Sequence, residues 1–157
     1  MKAQSGFTLV EILIVVVILG ILAAIVIPQF TSASTEAKES SLVSDLQAMR
    51  SQIELYKIHH NDNLPGTYTG VDFTAAMTSK TNQDGEVGTT ALHRFGPYMR
   101  SIPINPFNDL NTVELDGTAG DDSHGWNFVT AAGVDRGLFQ ADDDDVNPVT
   151  SEAHTDY

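Results

Sequence analysis

The chain opens on a stretch with no polar rhythm. From Phe7 to Ile27, 21 residues, the only polar side chains are Thr8 and Glu11. At about 1.5 Å per residue, a helix of that length spans roughly 30 Å, the hydrocarbon thickness of a bilayer. After Pro28 the pattern changes. Leu42, Leu46, Met49, Ile53 and Tyr56 recur at i, i+4, i+7, i+11 and i+14, one face of a helix, and Val43 widens the stripe. Glu36, Lys38, Glu39, Asp45, Arg50, Glu54 and Lys57 fall on the other faces. The pattern predicts one long helix, its first half built for hydrocarbon and its second laid on a globular domain. Turn formers in "HHNDNLPG" (59–66) end it. Gly20 and Pro28 predict a kink or local melting around Ala24 to Pro28, because proline removes a backbone donor and clashes with the preceding turn.

Shorter signals follow. "VDFTAAMTS" (71–79) reads as a short helix capped by Asp72, "TNQDGEVGTT" (81–90) as a loop, and Pro97 is placed to start a turn of helix. In "GWNFVTAAGVDRGLFQAD" (125–142), Trp126 and Phe128 alternate with Asn127 ahead of a glycine-bearing turn, which predicts a β-hairpin. "TVEL" (112–115) supplies a third strand. The expected architecture is α+β: a long N-terminal helix packed on a small antiparallel sheet, with Trp126 as a core anchor. The segments divide as 1–6, 7–28 (the span), 29–60 (the amphipathic half) and 61–157 (the globular domain with an acidic tail).

Composition narrows the chemistry. The 157 residues carry a net charge of -13, and from Asp109 onward stand 12 of the 21 acids but one of the 8 bases, Arg136. That surface repels nucleic acid. The absence of cysteine excludes disulfides and thiolate zinc sites. Walker, nucleophile-elbow and H-E-x-x-H motifs are lacking, so no enzyme is expected. His59 and His60 point to different faces of a helix, make a poor chelating pair and read as solvated residues at a helix end; His93 and His124 read as isolated surface residues. Asp142, Asp143, Asp144 and Asp145 form a run, and Asp121 and Asp122 lie with Asp116 in a glycine-rich loop. Calcium takes six to eight oxygens from flexible loops, so these aspartates are candidate ligands, although EF-hand spacing is absent. A solvated acidic tail is the competing reading.

Glu11 needs its own explanation. A charge in a membrane helix costs about 2.5–3.5 kcal/mol and usually has a partner. The acid lies in the first helical turns, where the macrodipole tolerates it. A second source of positive charge would be the α-amino group freed by cutting between Gly6 and Phe7. A secretory signal peptide cut near "SAS" would leave Glu11 without a role. Lys2 before the span and acids after it place the N-terminus in the cytoplasm and the domain outside.

"KAQSGFTLVEILIVVVILGILAAIVIP" resembles the class III signal of type IV prepilins and of type II secretion pseudopilins, through its basic leader, Gly6, Phe7, Glu11, the apolar run and Pro28. Tyr98, Ile102, Pro103, Asn105 and Pro106 resemble the Y-x-x-x-[IL]-P-x-[ND]-P run of the major pseudopilins. The resemblance implies a prepilin peptidase that cuts after Gly6 and methylates Phe7. It also implies a homo-oligomeric helical filament in which Glu11 pairs with the Phe7 amine of a neighbour, and a bend near Pro28. Further implied partners are an assembly ATPase, an inner-membrane platform and minor pilins or pseudopilins; the implied cofactor is a calcium in the C-terminal loop region. The implied location is the inner membrane, single-pass, with the domain periplasmic. The role is then the major subunit of a secretion pseudopilus. Alternatives are a surface pilin for adhesion or motility and a tethered acidic calcium-binding module that never polymerises. The lack of a C-terminal cysteine pair leans away from many surface pilins.

Overall fold

A computed structural model of the chain describes residues 6–157; residues 1–5 of the leader, Lys2 among them, lie outside the described residues. The chain divides into two compact units, one ending at Ala37 and the other Lys38–Tyr157. Helix α1 runs Leu9–His59 and ends where the sequence places its stop. Asn61 and Asp62 follow with positive φ, the left-handed conformation that short polar residues tolerate. The local melting expected around Ala24 to Pro28 is not seen: α1 runs on through Pro28. Proline removes one donor, but the Thr31 and Ser32 hydroxyls donate to the Ile27 and Pro28 carbonyls at 3.2 and 3.1 Å, adding bonds on the turn that follows.

In the second unit the stripe is buried as its spacing requires: Leu42, Leu46, Met49, Ile53 and Tyr56 all lie in the core. Two positions depart from the periodic reading. Val43 is exposed, and Glu39, nominally on a polar face, is buried. Glu39 stands three residues before Leu42 and seven before Leu46, which is the stripe's own phase. Helix α2, Phe73–Thr78, starts where Asp72 accepts a hydrogen bond from Ala75 N at 2.6 Å, the expected cap. Its Phe73 ring packs edge-on against Phe128, 5.0 Å between centroids.

Three short strands complete the core: β1 Val113–Leu115, β2 Trp126–Phe128 and β3 Phe139–Ala141, in the order β1-β2-β3. The predicted hairpin is β2–β3, antiparallel, with Trp126 opposite Ala141 and Phe128 opposite Phe139. The third strand corrects the all-antiparallel expectation. β1 runs parallel to β2, Val113 opposite Trp126, so the sheet is mixed. The intervening glycine-rich loop, residues 116–125, is long enough to carry the chain back to the same end of the sheet. Pro97 starts no helix, because the Tyr98 and Met99 amides that would open one both donate to Met77 O.

His60 also departs from expectation, being fully buried rather than solvated. Its ring stacks on Tyr56 at 3.7 Å; Nδ1 faces Tyr56 O at 2.7 Å and Nε2 faces Thr81 Oγ1 at 2.9 Å. A carbonyl cannot donate, so Nδ1 carries the proton and Nε2 accepts from threonine; the neutral ring is fully satisfied. Burial holds His60 below the ordinary histidine value, against the opposing bond to Tyr56 O. On acidification from about 6.5 the unfolded chain therefore takes up the proton first. Stability is whole above that value and is lost as pH falls through the lower folded value. The melting temperature is expected to drop between pH 7 and pH 5, and His60→Phe to flatten that slope. An unchanged slope in the variant would refute the assignment.

Candidate functional site

At the N-terminal end the first unit consists of exposed apolar surface. Phe7 is 84% exposed, and every large apolar side chain from Leu9 to Phe30 is solvent-accessible. Helix α1 is long and apolar enough to cross a membrane. Glu11, the one carboxylate in this stretch, has a partner on its own chain. Thr8 N and Thr8 Oγ1 both donate to Glu11 Oε2 at 2.8 Å, while Glu11 N donates to Thr8 Oγ1 at 3.3 Å. This reciprocal arrangement is a capping box, T-x-x-E, in which N-cap threonine and N3 glutamate satisfy each other's orphan donors. The signal stands in the sequence as Thr8-Leu9-Val10-Glu11 and is missed when the acid is read only against a neighbouring chain. Among the described residues nothing donates to Glu11 Oε1, so that oxygen remains open to an external donor.

In the second unit the proline-bearing run Tyr98 to Pro106 positions Asn105. Its amide Nδ2 donates to Gly125 O at 3.0 Å and to Asp143 Oδ2 at 2.7 Å, while its Oδ1 accepts from Phe107 N. The side chain is fully buried, as is Trp126, whose Nε1 donates to Pro103 O at 2.9 Å. The run thus fastens the start of β2 to the segment that follows β3.

The six aspartates picked out for calcium are held in different ways. Asp142 is buried: its Oδ1 accepts from Gly120 N at 2.8 Å and Oδ2 from His124 N at 3.0 Å. Burial pushes its carboxyl upward despite those bonds. Asp143 is also buried, held by Asn105 and His154. Asp121 caps Ser123 N at 3.0 Å, and that hydroxyl-bearing partner holds its exposed carboxyl below the usual range. Asp122, Asp144 and Asp145 are exposed. Asp116 instead braces the β2–β3 turn, accepting from Thr130 N and Ala131 N at 2.7 Å each. Of the histidines read as surface residues, His93 is nearly buried and bonded to Thr90 Oγ1 at 2.8 Å, and His124 is half-buried.

Residues 1–27 match the family described as "Prokaryotic N-terminal methylation motif". The chain is 33% identical to the type II secretion system core protein G of Aeromonas hydrophila over 143 residues, covering 81% of this chain and 95% of that one. It is 35% identical to the core protein G of Pseudomonas aeruginosa over 119 residues, covering 76% and 79%. The chain belongs to the type II secretion system core protein G family. The Escherichia coli (strain K12) core protein G is 27% identical across 89% of this chain. No solved structure matches. These core protein G relatives are named as components of a secretion system and not as enzymes.

For this chain no cofactor is established. Among the described residues the group whose ligand atoms fall within 4.8 Å of one another is Glu114, His124 and Asp142. Only one of the six expected aspartates belongs to it. Three donors, one of them a nitrogen, fall short of the six to eight oxygens calcium takes. His124 Nδ1 already faces Ser123 Oγ at 2.8 Å, and both oxygens of Asp142 already accept amides. Glu114 Oε2 is buried without a partner. By its side chains alone this triad does not establish a calcium site.

Proposed function

We propose that the chain is the major structural subunit of a type II secretion pseudopilus, assembled in the inner membrane after cleavage between Gly6 and Phe7 and N-methylation of Phe7. The observation that carries the reading is the N-terminal stretch: an unbroken apolar helix whose sole carboxylate, Glu11, is held at the first turn with one oxygen open. A simple tether needs no acid there, since any apolar residue would insert at lower cost. Membership of the core protein G family supports the same reading.

In this account subunits wait in the membrane with the N-terminus cytoplasmic and the domain periplasmic. Processing creates a cationic amine on Phe7. That amine of one subunit approaches Glu11 of the next, and in low dielectric the attraction sets the axial register while an unpaired carboxylate is penalised. The exposed apolar faces pack together and the filament grows as a helix. A prepilin peptidase, a cytoplasmic ATPase, a membrane platform and minor pseudopilins complete the machinery. The chemistry is mechanical: growth of the filament pushes substrate outward.

The test is the intact mass of the protein in two fractions of its native host, inner membrane and sheared cell surface. A species beginning at N-methylated Phe7 and confined to the membrane fraction is expected. Abundance of the processed species in sheared material would indicate a surface pilin instead. An uncleaved chain in both fractions would leave the tethered module as the reading.

A further inference from the structure

Two surfaces of the second unit differ in charge and stand apart along α1. Across residues 73–108 three bases stand against two acids, whereas from Asp109 onward one base stands against 12 acids. Thr81 and Phe95 form an antiparallel bridge, with Thr81 N donating to Phe95 O at 3.0 Å and Phe95 N to Thr81 O at 3.1 Å. Both side chains face inward: Thr81 Oγ1 meets His60 Nε2 at 2.9 Å, and the Phe95 ring stacks on His59 at 4.8 Å. Side chains alternate across extended backbone, so the preceding residues, Lys80 and Arg94, share the outer face, and both are exposed. Among the described residues the lysine or arginine that forms an ion pair is Lys57, and neither Lys80 nor Arg94 does. Leu92 is 73% exposed and lines a shallow recess with Arg94 and Asp84. The loop's other acid, Glu86, accepts from Asn82 Nδ2 at 2.9 Å. The second surface gathers at the start of the buried stripe. His154 Nε2 lies 2.8 Å from Glu39 Oε1, and Asn147 Nδ2 donates to Glu39 Oε2 at 3.3 Å. Segment 146–153, closed by a bridge between Val146 and Ala153, is thereby held at this end of the stripe, with Val146, Val149 and Glu152 exposed. From Glu39 to His59 a helix rises about 30 Å, at about 1.5 Å per residue, and that separates the two surfaces.

We propose that the surface of Lys80, Leu92 and Arg94 docks onto segment 146–153 of a second copy, as a head-to-tail contact between globular domains. The inference rests on the pseudopilus reading and names a contact within it. A helical filament is held by heterologous contacts, in which one patch of each copy meets a different patch of the next. Two patches of unlike charge at the two ends of one helical stretch suit that arrangement, and their separation keeps them from meeting within one chain. Charge also selects the pairing. In a chain of net charge -13, acid against acid is the common encounter, and it is repulsive. Exposed ion pairs add little affinity each, so the part of Lys80 and Arg94 is orientation. Apolar groups supply the contact itself: Leu92 on one copy, and on the other Val146 and Val149, 53% and 89% exposed. Lys38, a base at the acidic end, stands on α1 outside the segment and lies 5.5 Å over the Phe107 ring.

The chain has no cysteine, so introduced thiols report contacts without background. The experiment is oxidative cross-linking of the full chain in its native host, with Leu92→Cys and Val149→Cys placed together in one chain, or in two singly substituted chains produced together. Cysteines about 30 Å apart on one chain cannot bridge each other, because a disulfide needs Cα atoms within about 7 Å. The doubly substituted chain is expected to give a ladder of dimers, trimers and higher species. The mixed single variants should give a dimer, and either single variant alone far less of it. Lys80→Glu with Arg94→Glu in the doubly substituted chain should lower the ladder about fivefold, and adding Glu152→Lys should restore part of it. Absence of the ladder would overturn the proposal. So would a ladder indifferent to the charge reversal, or a dimer as abundant from one single variant alone as from the mixed pair. The intact mass of the chain from the same cells keeps the parent reading separate. Chains beginning at N-methylated Phe7 that give no ladder refute this contact alone, whereas uncleaved chains without a ladder remove the pseudopilus as well.

Discussion

Glu11→Val is expected to insert into the membrane normally and be cleaved normally, yet to be recovered in filaments at a level at least about tenfold below wild type, a step of about 1.4 kcal/mol per subunit contact. The substitution makes the span more apolar and removes a cost of about 2.5–3.5 kcal/mol in the membrane, so loss of insertion cannot explain the defect. What it removes is the carboxylate whose Oε1 is open to an external donor. The measurement is the ratio of sheared or cross-linked filament to membrane-resident subunit. Full assembly of Glu11→Val would sink the pairing role. The Thr8→Ala variant provides contrast: it breaks the capping box but keeps the acid, so it should alter how fast subunits leave the membrane more than whether they pair.

Trp126→Ala carries the largest expected loss of stability. The indole is fully buried, stacks on Phe139 with centroids 5.5 Å apart, and donates to Pro103 O. Truncation removes that packing, opens a cavity and leaves the part-buried Pro103 carbonyl without its donor, a combined cost of roughly 3–5 kcal/mol. Melting of the full chain should fall by about 10 °C or more. Val134→Ala, at a side chain exposed to solvent on the β2–β3 turn, should change stability by less than about 0.5 kcal/mol. Equal effects of the two substitutions would contradict the placement of the core.

Much of the architecture was legible because it follows from one periodicity. Leu42 to Tyr56 announce a buried helical face by spacing alone, and "GFTLVE" with its long apolar run announces a membrane helix with an anomalous acid. What was not legible depends on contacts between residues far apart in the chain. Glu39 shares the phase of the stripe, but a glutamate in that phase reads as polar surface until its partner is known. That partner, His154, is 115 residues away. The direction of β1 is likewise invisible, since a strand of three residues has no room for alternation to show. His60 is misread because a histidine beside turn formers looks solvated, whereas Tyr56 one turn earlier and Thr81 supply it with a complete neutral bonding set. The aspartates illustrate the same limit. Their number suggested a metal, and their individual bonds, visible only in the fold, assign four of the seven to backbone amides or side chains already present.

The Thr8–Glu11 pair bears on economy of assembly. A carboxylate with no partner inside a bilayer would make every idle subunit a costly species, and the cell could hold few of them. With Oε2 supplied by its own backbone amide and hydroxyl, an idle subunit is tolerable, and a standing stock can accumulate ahead of demand. Joining the filament then exchanges or supplements one set of donors with another, and the net gain per subunit is small.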